Sequence, residues 1–246
     1  MFVPMGHVVS LADDPGLAER LPFGPGWPKF IFRDPVAKRL MPTVERLFAD
    51  FSLVLLDDEG EVVAGGWGVP IPWTGEVDDL PHGWDDTLER AVAAAENGVQ
   101  PSTLSAMATE VVASARRSGL SAEVLGALRR RAEDRGLEGM IAPARPTLKH
   151  LYPLVPIERY AGWTREDGSP FDPWIRTHWR LGATILAQTT EAMRIVAPVG
   201  DWEEMTGMKF PESGDYVVPE ALTLVGMDLE ADEGLYVEPA IWMLHA

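Results

Sequence analysis

The run from Ser102 to Gly136, STLSAMATEVVASARRSGLSAEVLGALRRRAEDRG, constrains the fold more than any other part of the chain. Its first third is apolar and strand-like. Its last third is an amphipathic helix: Leu120, Val124, Leu125, Leu128 and Ala132 share one stripe, while Glu123, Arg129, Arg130, Arg131, Glu133 and Arg135 lie mostly off it. Gly136 supplies the stop. A second strand, LEGMIAP, follows at once. Between the first strand and the helix sits a short loop with Arg116, Arg117, Ser118 and Gly119.

Such a loop is suited to an anion. The first N–H groups of a helix have no intrahelical partner, and the helix dipole favours negative charge there. Gly119 permits positive φ or close approach of a ligand to the backbone. Six of the 21 Lys and Arg residues fall between Arg116 and Arg135, around this loop. The same arginines also fit a second reading, the solvated face of a helix. Two other phosphate loops are excluded. No Gly-x4-Gly-Lys-Ser/Thr stretch exists, and RRSGLS lacks the Gly-x-Gly-x-x-Gly spacing of a dinucleotide fold. GLSAE is not the Gly-x-Ser-x-Gly elbow of a hydrolase, so Ser121 reads as a helix-start residue rather than a nucleophile.

Composition narrows the partners. The chain has 246 residues and a formal net charge of −17. A field that negative repels nucleic acid and anionic lipid, and favours an amine-bearing partner. There is no cysteine, which removes disulfides, thiolate metal sites and a cysteine nucleophile. The histidines, at 7, 82, 150, 178 and 245, have no metal-binding spacing, so no metal is expected. No apolar run approaches the length of a membrane span, and a cytoplasmic protein is expected.

The remaining elements read as follows. Val3 to Ser10 is a strand, and DPVAKRLMPTVERLFADF is a helix broken by Pro42. SLVLLDDEGEVVAGGWGVPI is a hairpin, with Gly65-Gly66 marking a bulge or a close backbone approach. GWDDTLERAVAAAENG is a helix with acids in its first turn. Asp172-Pro173 opens a short helix, DPWIRTHWRLG. ATILAQ and AMRIVAPV are strands, and GLYVEPAIWMLH is a last strand, at an edge or bulged because of Pro239.

RRSGLS resembles the pyrophosphate loop of the GNAT superfamily of acyl-CoA N-acyltransferases, Gln/Arg-x-x-Gly-x-Gly/Ala. Arg116 and Gly119 match that pattern, and Ser121 departs from its last position. The hairpin upstream, the preceding strand, and the helix and strand downstream repeat the family's order of elements. HWRLGA, His178 to Ala183, is similar to the family's Tyr-x-x-x-Gly-Phe ending, with His178 in the tyrosine place. A second alignment puts Tyr152 there. The resemblance implies an α/β (α+β) fold, with a mixed, mostly antiparallel sheet flanked by helices. It implies one domain over 1–246, with insertions at 146–172 and 198–233. It also implies acetyl-CoA or another acyl-CoA as co-substrate, lying where the fourth and fifth strands splay apart. The backbone of Val111 and Val112 would then meet the pantetheine arm and the thioester oxygen. Residues Arg116, Arg117, Ser118, Gly119, Leu120 and Ser121 would hold the pyrophosphate.

Transfer to an amine needs a base, an oxyanion donor and an acid for the thiolate. Glu110, the acid of the fourth strand, could take the base role; otherwise it is a solvated or arginine-paired strand end. His178 could protonate the thiolate, because histidine titrates near neutrality; otherwise it packs on Trp174 or Trp179. Tyr152 is the other candidate acid. Trp67, Trp73 and Trp84 line an acceptor pocket or simply pack. Arg145 and Lys149 reach an anionic group or lie at the surface. The expectation is an acyl-CoA-dependent N-acyltransferase, acting on a small amine by direct attack in a ternary complex and possible as a homodimer. The alternative is a GNAT-fold module that binds acyl-CoA without catalysis.

Overall fold

The computed structural model describes residues 7–20, 24, 26–115 and 119–245. Among them a nine-stranded sheet organises everything else. Strands β1 (His7–Ser10), β2 (Ser52–Leu56), β3 (Val62–Ile71) and β4 (Thr103–Val111) form an antiparallel run. Strand β5 (Gly139–Ala144) joins β4 in parallel. The last strand, β9 (Glu233–His245), pairs with β6 (Thr184–Ala197), with β5 through its C-terminal half and with β8 (Val225–Asp228) through its N-terminal half. A short β7 (Gly214–Tyr216) closes that end. The sheet is mixed and mostly antiparallel, as the resemblance implied.

Neighbouring residues of β3 show which helices cover which face, because adjacent side chains of a strand point to opposite sides. Trp67 stacks edge-on against Trp84 of α2 (Trp84–Glu96). A Cβ on Gly66 would lie 2.5 Å from Val124 of α3 (Leu120–Asp134). So α2 covers one face, with α1 (Pro35–Leu47) packed beside it, and α3 covers the other. Gly66 therefore marks a close approach. The bulge lies one step on, where Met107 of β4 is the extra residue between the pairs Trp67↔Ala108 and Gly68↔Ala106.

Helix α1 is not broken at Pro42. It continues for 13 residues with Pro42 inside. Proline removes its own N–H, and the carbonyl it would have bonded belongs to the exposed Lys38, which water can serve. β9 is not an edge strand either. Pro239 falls in the stretch that neither β5 nor β8 pairs, opposite an irregularity in β6 between Thr189 and Met193. ATILAQ and AMRIVAPV are two parts of that one strand.

The segment after β5 holds α4 (Ile157–Ala161) and leads into α5 (Pro173–Arg180). Asp172 is the buried hub there. Its Oδ1 accepts the N–H groups of Trp174 and Ile175, capping α5, and its Oδ2 accepts Leu148 N–H and the Tyr160 hydroxyl. Lys149 is fully buried rather than on the surface, donating Nζ to the carbonyls of Tyr152 and Leu222. Helix α6 (Val199–Thr206), with β7 and β8, carries a second apolar cluster around Phe30, Trp202, Phe210 and Tyr236. Among the described residues, no helix is long and apolar enough to cross a membrane.

A carboxyl pair ties α1, α2 and β6 together. Asp34 caps α1 through Ala37 N–H, and Asp85 accepts Arg194 N–H from β6. Asp34 Oδ2 and Asp85 Oδ1 are buried with no other partner, so a proton between them completes both. Burial, and then Asp34, push Asp85 up to about 8. The folded state keeps this proton, whereas an unfolded Asp releases it near 3.8. The stabilisation is complete below the unfolded value and is lost as pH rises through about 8. Asp85→Asn, which keeps an acceptor for Arg194 and adds a permanent donor to Asp34, is expected to flatten the fall of Tm between about pH 5 and pH 9. Parallel Tm curves for the two proteins would show that no proton is shared.

Candidate active site

The site begins where β4 and β5 part. Their parallel pairing covers only Thr103–Ser105 against Gly139–Ile141. Beyond it β4 stays with β3 as far as Val111, while β5 stays with β9 as far as Ala144. The wedge between them opens into a cavity of about 990 Å³, lined by Ala106–Val111 on one side and Ala142–Arg145 on the other. Pro143 is tolerated in β5 because its missing N–H falls on the side where β4 has already left.

Val112 N–H donates to Val63 of β3 at 3.0 Å. Hydrogen-bonded and non-bonded pairs alternate along an antiparallel ladder. Val111 and Thr109, paired with Ala64 and Gly66, thus turn their backbone groups away from β3 and into the wedge. Of the two valines expected to meet the coenzyme, Val111 offers its amide to the cavity, and Val112 has its own committed to the sheet.

After β4 comes a short 3-10 turn, Ala113–Ala115. Arg116, Arg117 and Ser118 lie outside the described residues. Gly119 then caps α3 at φ +90°, where an L side chain is strained, and no side chain caps this helix. Gly119 carbonyl accepts the N–H groups of Ala122 and Glu123, and among the described residues those of Leu120 and Ser121 find no partner. Leu120 sends its side chain into the core, and Ser121 lines the cavity. The later arginines do not surround the loop. Arg131 and Arg135 bind Asp50, and Arg129 pairs with Glu133, in the second half of α3 and at its C-terminal cap. At about 1.5 Å of rise per residue they stand well over 10 Å from the helix start.

Glu110 is buried rather than solvated, and no described arginine pairs with it. Its Oε2 accepts Trp27 Nε1–H at 3.0 Å and Gly24 N–H at 3.3 Å. Trp27 belongs to a strap, with Pro28, Ile31 and Phe32, that covers the cavity. Trp67 and Trp84 also line the cavity, and Trp84 Nε1–H reaches Met107 carbonyl at the bulge. Trp73 does not line it; its indole donates to Glu76 carbonyl. Arg145 lines the cavity while held by Glu238 at 2.9 Å and by Glu220 carbonyl, and Tyr236 hydroxyl bonds the same Glu238.

His178 projects from α5 to the cavity wall, only 1% exposed. Its Nδ1 lies 2.8 Å from Nε2 of His245 at the end of β9, and Trp174 packs edge-on at 4.4 Å. Burial, and then His245, push His178 down to about 3; burial and then Arg129 push His245 down to about 4. Titration near neutrality, the reason for choosing His178 as an acid, is lost in the fold. The ring stays neutral and offers a hydrogen bond instead. Tyr152 is not on the cavity wall; it sits among Tyr160, Trp163 and Phe171. Glu110, Val111, Ser121 and His178 thus share one cavity. The alternative reading of His178, packed on Trp174, is what the structure shows. Sequence reading missed Trp27 and the pairing with His245: Trp27 carries no motif, and His245 is isolated in sequence from its partner.

A depressed histidine stabilises the folded state above its unfolded pKa and loses that contribution as pH falls through the folded value. His178 and His245 should therefore add to acid destabilisation below about pH 6.5. In an NMR titration their ring signals should stay fixed between about pH 5.5 and 8. Midpoints near neutrality would mean that both rings are open to water.

No protein-family model matches the chain. The loading GNATL domain of CurA from Lyngbya majuscula superposes with a TM-score of 0.53 at 14% identity, over 97% of this chain and 96% of that one. The GphF GNAT-like decarboxylase, solved in complex with isobutyryl-CoA, superposes with a TM-score of 0.51 at 15% identity, over 98% of both chains. Arginine N-acetyltransferase avaD from Aspergillus versicolor is 31% identical, over 89% of this chain and 84% of that protein. With this relative, this fold and this parted pair of strands, the chain belongs to the GNAT superfamily of acyl-CoA-dependent N-acyltransferases.

Proposed function

We propose that the protein moves an acetyl or similar acyl group from coenzyme A to a small amine, by direct attack within a ternary complex. The observation that carries this reading is the wedge itself, with Val111 and Thr109 turning backbone groups into it and α3 starting uncapped at its mouth. The pyrophosphate would sit over residues 116–121, on the N–H groups of Leu120 and Ser121, which have no partner among the described residues. The pantetheine arm would run against β4, pairing with the backbone of Val111. Backbone donors held by the fold would need no reorganisation when charge develops.

Glu110 is the base we assign. Both of its observed bonds fall on Oε2, so Oε1 is the oxygen offered to an ammonium, directly or through one water. Once neutral, the amine attacks the thioester carbon to give a tetrahedral oxyanion, which collapses as the C–S bond breaks and the remaining extra proton of the nitrogen passes to the departing sulfur, so that coenzyme A leaves as its thiol. His178 is the group assigned to meet the departing sulfur, as a neutral N–H donor rather than an imidazolium. Arginine is the acceptor we favour, because the 31% identical relative carries that name and because Glu45, Glu110, Glu220 and Glu238 line the same cavity. A guanidinium-bearing amine suits a chain with 38 acidic residues against 21 basic ones.

Free-thiol release from acetyl-CoA tests this reading. Thiol release should depend on added arginine and fall on the order of 10²-fold or more in Glu110→Gln, the scale of a lost general base. Gly119→Asp, which puts a β-carbon and a negative charge at a φ of +90°, should abolish coenzyme binding in calorimetry while the protein stays folded. Coenzyme binding without turnover on any amine would establish a binding module instead. Undiminished affinity in Gly119→Asp would remove the loop from the site.

A further inference from the structure

Among the described residues, the cavity wall holds a buried side-chain nitrogen with no hydrogen-bond partner. His178 Nε2 has no hydrogen-bond partner, although the residue is 1% exposed and lines the cavity. An unpaired buried polar atom costs stability, and it is retained where a ligand completes it. The ring cannot turn away from this position. Trp174, one helical turn earlier, packs against it edge-on, and His245 holds its other nitrogen at 2.8 Å. What Nε2 offers depends on which of the two rings donates in that bond. If His178 Nδ1–H donates, Nε2 is a bare lone pair. If His245 Nε2–H donates, His178 must carry its own proton on Nε2.

The surroundings favour the second arrangement. Both rings are neutral, so each has one N–H. Arg129, on the adjoining face of α3, is the charged group that acts on His245. Since Nε2 of His245 points inward to His178, Nδ1 is its other nitrogen. A guanidinium nearby favours a lone pair on that outer nitrogen and places the proton on Nε2. Asp172, the carboxylate of α5's own cap, is occupied by Leu148, Tyr160, Trp174 and Ile175 and does not compete.

We propose that His245 is a positioning residue, which donates Nε2–H to His178 Nδ1 and thereby holds His178 as an Nε2–H donor facing the acyl-transfer cavity. The ligand class that completes this donor is a sulfur or oxygen carrying developing negative charge, which in the acyltransferase reading is the departing thiolate or the thioester oxygen. His178 donates a hydrogen bond and keeps its proton; the ammonium proton goes to Glu110, and the proton the sulfur takes comes from the amine nitrogen. This role rests on the acyltransferase reading for its substrate, and the tautomer itself does not.

Long-range ¹H–¹⁵N correlation spectra of the imidazoles decide the tautomer in the wild-type protein, without any turnover. The expected result is a protonated Nε2 and a bare Nδ1 in His178; a bare Nε2 overturns the proposal. His245→Gln keeps an N–H at the position of Nε2, and His245→Leu removes it. His245→Gln should preserve the His178 tautomer and most of kcat. His245→Leu should let His178 mix tautomers and lower kcat about tenfold, the factor of one lost hydrogen bond, with KM for acyl-CoA little changed. Equal activity in wild type and His245→Leu, or equal loss in both variants, would also overturn it. Absence of acyl transfer in the wild type would count against the acyltransferase reading and leave the spectra to decide the tautomer.

Discussion

Everything at the site depends on a parallel strand pair that stops early. β4 and β5 share only the pairs Thr103↔Gly139, Leu104↔Met140 and Ser105↔Ile141 before each follows its other neighbour. Backbone N–H and C=O groups are obligatory hydrogen-bonding groups, so a strand edge left open inside a domain must meet water or a ligand. The Met107 bulge bends β4 at the point of parting, and Pro143 removes a donor from β5 just past it. β9 keeps the gap from closing. It holds β5 on the same edge that β8 occupies further along, with β6 along the other.

Much of this was legible in the sequence where local chemistry decides the outcome. The stripe of α3, the hairpin around Gly60 and the Asp172-Pro173 start of α5 each state their structure within a few residues. Gly119 permitted a positive φ or a close approach, and it has the positive φ. Legibility failed where tertiary packing decides. Pro42 looked like a break but lies in a helix whose other contacts hold it. Lys149 looked like surface charge but is enclosed by carbonyls. The arginine cluster looked like one basic patch, but Asp50, remote in sequence, takes up Arg131 and Arg135. The His178–His245 bond joins residues 67 apart, beyond the reach of any local motif.

The buried ionisable groups point to one design. Glu110, His178 and the Asp34–Asp85 pair are all drawn out of water, and each is matched with a hydrogen bond from a different element. The strap bearing Trp27 holds Glu110, the last strand holds His178, and β6 holds Asp85. The site is thus assembled only when the whole sheet and its α1–α2 cover are in place. A strongly acidic exterior surrounds a cavity in which, among the described residues, His178 Nε2 is the buried side-chain atom without a partner.

The central claim is that the open edge of β4 receives an acyl-CoA molecule. Amide hydrogen exchange on β4, with and without coenzyme A, tests it most directly. The amides of Thr109 and Val111, turned away from β3, should exchange readily in the free protein and slow on the order of tenfold or more when the coenzyme is bound. The amide of Val112, already bonded to Val63 at 3.0 Å, should change little. Protection confined to other parts of the chain, or none at saturating coenzyme, would contradict the account.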